Sequence, residues 1–145
     1  LSDNRITGTY TDEFVCAELS LYIITLPNLK DKWESVSLYS ILGILNSSVQ
    51  TFFFRKMGYI KNYDLKIGTP QIRLNDLRKL PFPKIDSDVS KNNLKEIDLY
   101  VAKILNNSDE TSSENDVYRK NIDELVMDLY ELNEEEKEVI KSSIK

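Results

Sequence analysis

The chain has 145 residues, of which 41% are hydrophobic, and a formal net charge of −5. This length fits one domain with an appendage, and a single cysteine, Cys16, excludes an internal disulfide and fits a reducing cytoplasm. The absence of histidine excludes a Ser-His-Asp triad and the commonest metal ligand, and no apolar run reaches the ~20 residues that a membrane span requires.

Two segments near the start have the composition of strands. Ile6 to Thr11 and Leu19 to Leu26 are rich in β-branched and aromatic residues. From Ser35 the apolar residues recur at helical spacing, which predicts a buried helical hairpin or a kinked helix. Asn46 and Ser47 are expected to end its first half and cap the second, because their side chains bond to backbone groups at helix ends.

The following part predicts short elements. Tyr59 to Ile67 reads as a loop or short strand, and Gln71 to Arg73 as another short strand. Asn75 or Asp76 is expected to cap a helical turn that runs to Leu80 and stops before the two prolines of the sequence LPFP. This turn would direct its leucines inward.

The rest of the chain predicts three helices. Leu94 to Leu105 and Val117 to Glu131 each have one apolar face, and a last helix follows Asn133 as its cap and ends near Ile144. Residues 106–116 are polar and acidic and predict a mobile connection.

Together these elements predict an α+β fold. A small, mostly antiparallel sheet packed with helices would occupy residues 1–84, and a helical C-terminal segment would occupy residues 85–145. The absence of an initial methionine leads us to expect that the sequence is a portion of a longer protein.

The charges are unevenly distributed. Residues 55–84, which we call the basic segment, carry eight Lys and Arg against two acidic residues, whereas residues 85–145 carry eight bases against sixteen acids. A basic stretch in an acidic chain is typical of one surface that meets a polyanion. The acidic pI therefore does not exclude a nucleic-acid ligand.

Several motifs occur in an order known from one family. They are LGILNS at Leu42 to Ser47, FFFRK at Phe52 to Lys56, IRLNDLRKLPFP at Ile72 to Pro83, and IDELVMDLYELNEEEKEVI at Ile122 to Ile140. With the entry ITGTYTDEFVC, this order resembles the C-terminal specificity domain of Taq-type N6-adenine DNA methyltransferases and of single-chain (type IIG) restriction–modification enzymes. The resemblance covers most of the chain.

This resemblance implies a target recognition domain without a catalytic site or a metal site of its own. The Asn-Pro-Pro-Tyr motif that holds the flipped adenine in this family does not occur in the sequence. S-adenosylmethionine, and Mg²⁺ where DNA is also cleaved, would be bound by a core outside this chain. The implied partners are double-stranded DNA and the methyltransferase core of the same parent chain, with no membrane partner and a cytoplasmic location.

The resemblance and the charge distribution together suggest which residues contact DNA. Arg and Lys suit phosphates and guanine, whereas Asn and Gln suit adenine. We assign Lys61, Lys66, Arg78 and Lys79 to phosphates. Possible base readers are Asn62, Gln71 and Arg73. Arg55 and Lys56 fit a phosphate contact or a helix C-terminus equally well.

Two other functions remain open. The first is a fragment of the specificity subunit of a type I restriction system, which also has an LPxP turn but continues into a long coiled spacer. The second is a protein interaction module in which the acidic helices from Leu94 onward dock on a partner. The sequence favours the single-chain enzyme over the type I subunit, because residues 106–116 interrupt the helical tail, and the salt dependence of DNA binding would separate it from the interaction module.

Overall fold

The structure is a computed structural model that describes residues 6–16, 21–25, 36–61, 71–109 and 111–144. Its elements in chain order are α1 (Leu38–Asn46), α2 (Ser48–Lys56), β1 (Ile60–Lys61), β2 (Gln71–Ile72), α3 (Leu74–Leu77), α4 (Asp88–Asn106), α5 (Ser113–Leu129) and α6 (Glu134–Ser143). The described part of the chain is mainly helical.

The predicted α+β fold is therefore wrong. Within the described ranges the only strands are β1 and β2, which pair antiparallel with Ile60 opposite Ile72 and Lys61 opposite Gln71. The predicted strand Ile6 to Thr11 is irregular, and so is the described part of the predicted strand Leu19 to Leu26, residues 21–25. The other residues of that second strand lie outside the described ranges.

Side chains of the helices explain why Ile6 to Thr11 is not a strand. The Gly8 N–H donates to Asn46 Oδ1 at 2.6 Å, and Asn46 Nδ2 donates to the Gly8 carbonyl at 3.0 Å. The Ile6 N–H donates to Thr51 Oγ1 at 3.4 Å. These bonds occupy backbone groups that a sheet would pair with a neighbouring strand, so tertiary contacts override the strand propensity.

The prediction of an interrupted helix after Ser35 is confirmed. Ser37 caps α1 by accepting from the Ser40 N–H, and Ser47 separates the two helices and accepts from the Gln50 N–H at the start of α2. Asn46 ends α1 as expected. Both caps satisfy backbone donors that the first turn of a helix leaves unpaired.

The last three helices are confirmed, with α4 starting earlier than predicted. It begins at Asp88 because Ser87 and Ser90 form a capping box there. Asn133 caps α6 in a second capping box with Glu136. In the first turn of α5, the fully buried Asn115 donates from Nδ2 to the Asp109 carbonyl of the preceding connection at 2.9 Å. The domain division at residue 84 and the mobility of residues 106–116 remain predictions.

One hydrophobic core joins the helices on both sides of residue 84. Apolar residues of α1 and α2 pack against those of α4, α5 and α6, and this main core contains Leu42, Ile44, Val49, Leu94, Ile97, Val101, Ile122, Val126, Met127 and Ile140. A second, smaller cluster forms around Ile6, Phe54 and Ile60 and includes Leu77 and Leu80. The second cluster lies under the basic segment.

Two carboxylates of the C-terminal helices bind the starts of α1 and α2. Asp98 of α4 accepts from the hydroxyls of Ser37 and Ser40, each at 2.6 Å. Asp123 of α5 accepts from the Ser48 N–H at 2.7 Å and from its hydroxyl at 2.6 Å. A negative charge is favourable at a helix N-terminus, so these contacts set how α1 and α2 lie on α4 and α5.

Helix α1 packs closely against α4 at Gly43. A Cβ on this residue would lie 2.5 Å from Ile97 Cγ2 of α4, 3.3 Å from Val101 Cγ2 and 3.5 Å from Ile122 Cγ2. A separation of 2.5 Å is far inside van der Waals contact, and the methyl group that it meets branches from Cβ in a packed core. Glycine is therefore required here for close packing.

We expect Gly43→Ala to destabilise the protein by about 1 to 3 kcal/mol through overpacking, although alanine is the better helix former. Urea unfolding followed by circular dichroism measures this change. The matched control is the same substitution in an Ile97→Ala background, which removes the clashing methyl group. There the cost should largely disappear, and an equal cost in both backgrounds would contradict the close-packing explanation.

Candidate nucleic-acid interface

The basic segment begins at the end of α2 and covers β1, β2 and α3. Phe54 anchors this region, being fully buried in the second cluster, with the rings of Phe53 and Tyr59 edge-on to it at 5.8 and 5.7 Å. Ile60 and Ile72, which pair across the two strands, join the same cluster. Apolar residues of the segment are thus buried, while Arg73, Arg78 and Lys79 are exposed.

The short helix α3 differs in part from the prediction. Arg73 occupies its N-cap position without a side-chain cap bond, so the prediction that Asn75 or Asp76 caps this turn is wrong. Leu77 and Leu80 pack into the second cluster as expected, but Leu74 is 43% exposed. One turn of helix can bury only part of its surface against one cluster, so the other side remains in solvent.

Arg73 and Arg78 lie at the two ends of α3, and both are exposed. Arg78 also lines an open groove of about 650 Å³ together with Leu74 and residues 21–25. The Tyr22 hydroxyl donates to the Ile72 carbonyl at 2.8 Å, which joins residues 21–25 to β2. The two guanidinium groups, with their planar arrays of donors, are available for anionic ligands.

The β1–β2 pair brings two predicted DNA contacts together. Lys61, assigned to phosphate, lies opposite Gln71, assigned to base reading, and Gln71 is exposed. Arg73 follows Gln71 by two residues. Asn62 and Lys66 lie outside the described residues. The structure thus groups Lys61, Gln71, Arg73, Arg78 and Lys79 on adjoining elements.

Lys79 has partners within the chain. Its Nζ lies 2.9 Å from Asp76 Oδ1 and 4.7 Å from the centre of the Tyr59 ring. The hydrogen bond to Asp76 raises the pKa of Lys79, so its charge is retained while a carboxylate balances it. An acid three residues before a lysine on a helical turn is the local sequence signal for such a pair.

Other basic residues of the segment contact the C-terminal part of the chain. Arg55 Nη1 donates to the Ser143 carbonyl at the end of α6, at 3.1 Å. Lys84 Nζ lies 2.5 Å from Asp86, an exposed pair. Lys56 is exposed, with its Nζ 5.5 Å from the centre of the Phe52 ring. Among the described basic side chains of the segment, Lys56, Arg73 and Arg78 are exposed and form no ion pair with a carboxylate, and the two arginines lie together at the ends of α3.

The candidate surface carries guanidinium, ammonium and amide groups on adjoining elements. The described ranges contain no group of three or more His, Cys, Asp or Glu side chains that could hold a metal ion. None of the described helices is long and apolar enough to cross a membrane. Arginine, lysine and glutamine side chains on adjoining elements can contact phosphates and base edges.

Comparison with known protein families confirms the resemblance. Residues 2–82, more than half of the chain, match the TaqI-like C-terminal specificity domain. The match includes α1, α2, the β1–β2 pair and α3. Neither a curated protein nor a solved structure matches the chain. The chain therefore belongs to the TaqI-like C-terminal specificity domain family, and its role is DNA target recognition in a methyltransferase-type enzyme.

Proposed function

We propose that this chain is the DNA sequence recognition portion of a site-specific adenine-N6 DNA methyltransferase or of a type IIG restriction–modification enzyme. It positions the target duplex for a catalytic core outside these residues. The observation that supports this proposal best is that the exposed cations Arg73 and Arg78, with Gln71 beside them, lie within the family-matched residues.

In this proposal the two kinds of contact have separate tasks. Arg78 and the lysines at positions 61, 66 and 79 bind phosphates and set the position of the duplex. Gln71, Arg73 and Asn62 read base edges, for which glutamine and asparagine suit adenine and arginine suits guanine. Because Asp76 already balances Lys79, Arg78 contributes more phosphate affinity than Lys79.

The catalytic core completes the enzyme in this proposal. It binds S-adenosylmethionine, binds Mg²⁺ where the enzyme also cleaves DNA, and extrudes the target adenine from the stacked duplex. The recognition domain holds the neighbouring base pairs while the adenine leaves the helix. An enzyme that acts on chromosomal DNA in this way works in the cytoplasm of its cell.

We expect binding of the intact enzyme to duplex DNA to weaken steeply with salt, because each phosphate contact releases counterions. The logarithm of the association constant should fall against the logarithm of salt concentration with a slope of about −0.9 per contact. Fluorescence anisotropy with a labelled duplex between 50 and 200 mM salt measures this slope. A flat response would favour the protein interaction module instead.

We expect Arg78→Ala to weaken binding to all duplexes alike and to reduce the salt slope by about 1. The paired substitution Asp76→Asn with Lys79→Met leaves the net charge unchanged and should alter affinity less, since it removes a balanced pair. Lys95→Ala, an exposed lysine on α4, serves as the matched control and should have no effect. If the Asp76/Lys79 variant loses more affinity than Arg78→Ala, the ranking of these two cations is wrong.

Substitution of a base reader should change discrimination rather than overall affinity. For Gln71→Ala and Arg73→Ala we expect the preference among duplexes that differ by one base pair to change by about 1 to 3 kcal/mol. Competition binding with a panel of single-base-pair variants measures this preference. A uniform loss across the panel would assign the residue to phosphate binding instead.

A further inference from the structure

A partly buried polar contact joins α2, α5 and the LPFP sequence that follows α3. Tyr130, the residue at the C-terminal end of α5, donates its hydroxyl hydrogen to the Pro81 carbonyl at 2.6 Å. Gln50 of α2 donates from Nε2 to the same carbonyl at 3.2 Å and also to the Tyr130 hydroxyl. We call Gln50, Tyr130 and the Pro81 carbonyl the Pro81 clamp.

The Pro81 clamp lies at the joint between the two hydrophobic clusters. Before it, Leu77 and Leu80 pack into the second cluster under the basic segment. After it, Phe82 packs against the main core and Pro83 is buried. Pro81 is three residues beyond Arg78, so bonds to its carbonyl restrain the chain close to the end of α3.

The need to give the Pro81 carbonyl a hydrogen-bond partner does not by itself explain the Pro81 clamp. Pro81 is exposed, so water could reach its carbonyl if the clamp were absent. Gln50 is fully buried, and its Oε1 has no hydrogen-bond partner within the described part of the chain. A buried unpaired oxygen is costly, and a leucine of similar size would avoid that cost. Polar groups kept in a core at such a cost can specify one arrangement of the chain.

The donors of the clamp are present over a wide pH range. Burial raises the pKa of the Tyr130 hydroxyl above its ordinary value, so the group remains protonated and able to donate at neutral pH. The Gln50 amide does not titrate. Both donors of the clamp are therefore intact at neutral pH.

We propose that Gln50 and Tyr130 are positioning residues for DNA recognition. They hold Pro81, and through it α3, so that Arg73 and Arg78 face the duplex in a fixed orientation. This inference rests on the proposed function, since it assigns a role to residues that touch no DNA themselves. It also makes the C-terminal helices part of the recognition apparatus, because Tyr130 lies outside the family-matched residues 2–82.

The test is the double variant Gln50→Leu/Tyr130→Phe in the intact enzyme. We expect its melting temperature to remain near that of the parent, because the substitutions also remove the unpaired Oε1 and leave Pro81 accessible to water. Its affinity for the cognate duplex should fall by about tenfold, the loss expected when the orienting hydrogen bonds are removed. Amide hydrogen exchange at residues 78–80 should become faster.

Tyr118→Phe is the matched control, since it makes the same chemical change on the same helix. The Tyr118 ring stacks on the Tyr100 ring with 5.7 Å between ring centroids, and neither tyrosine belongs to the Pro81 clamp. This control should retain the affinity and exchange rates of the parent. If the double variant were only partly misfolded, the fraction of active protein would fall while the Kd of the folded fraction stayed the same. Titration at stoichiometric DNA measures that fraction, so it distinguishes misfolding from the loss of positioning.

The outcomes separate the two proposals. If the parent enzyme binds DNA and the double variant has the same Kd and the same exchange rates, the inference is overturned. If the domain contributes nothing to DNA binding in the parent enzyme, the proposed function fails. In that case, hydrogen exchange at residues 78–80 that is the same in the double variant as in the parent would separately overturn the positioning role of Gln50 and Tyr130. If the double variant does not fold, Tyr130→Phe alone should show the same changes at smaller size, and unchanged binding by that folded single variant would overturn the inference.

Discussion

The arrangement of the protein depends on the close packing of α1 and α2 against α4 and α5. Gly43 permits this approach, because a side chain there would overlap Ile97. Asp98 and Asp123 then hold α1 and α2 in position by accepting hydrogen bonds from Ser37, Ser40 and Ser48 at the starts of these helices. A packed interior has few alternative arrangements, so these contacts together select one. The family-matched part of the chain and the helices after it consequently share a single core.

This packing determines how the basic segment is displayed. The end of α2 supplies Phe54, around which the second cluster forms, and this cluster supports both the β1–β2 pair and α3. Some cations of the segment are then used within the protein: Arg55 bonds to the end of α6, Lys79 to Asp76 and Lys84 to Asp86. The exposed arginines Arg73 and Arg78 at the ends of α3 carry the proposed contact with DNA. A count of charges along the sequence overstates the charge available for binding, because it ignores these internal pairs.

The proposed DNA-binding surface lies within the family-matched residues 2–82, and our further inference assigns a role to the helices that follow. Tyr130 and Gln50 meet at Pro81, where the chain passes from the second cluster to the main core. A recognition surface has to be rigid to distinguish similar base pairs, since a mobile side chain can adapt to several of them. The C-terminal helices provide that rigidity in our proposal, through the bond from Tyr130 to the Pro81 carbonyl.

Structural features that depend on residues close together in the chain could be predicted from the sequence alone. Helices and their caps are set by residues within one or two turns, so they could be predicted. The correct predictions were the helical periodicity of α1, α2 and α4 to α6, the break at Asn46 and Ser47, and the cap at Asn133. The basic segment was likewise visible in the sequence. The predicted sheet was wrong, since Asn46 and Thr51, about 40 residues away along the chain, bind the backbone of Ile6 and Gly8. The Pro81 clamp and the contacts of Asp98 and Asp123 were likewise decided only by the tertiary structure. They join residues 31 to 80 positions apart, and no local pattern specifies which distant polar groups will meet.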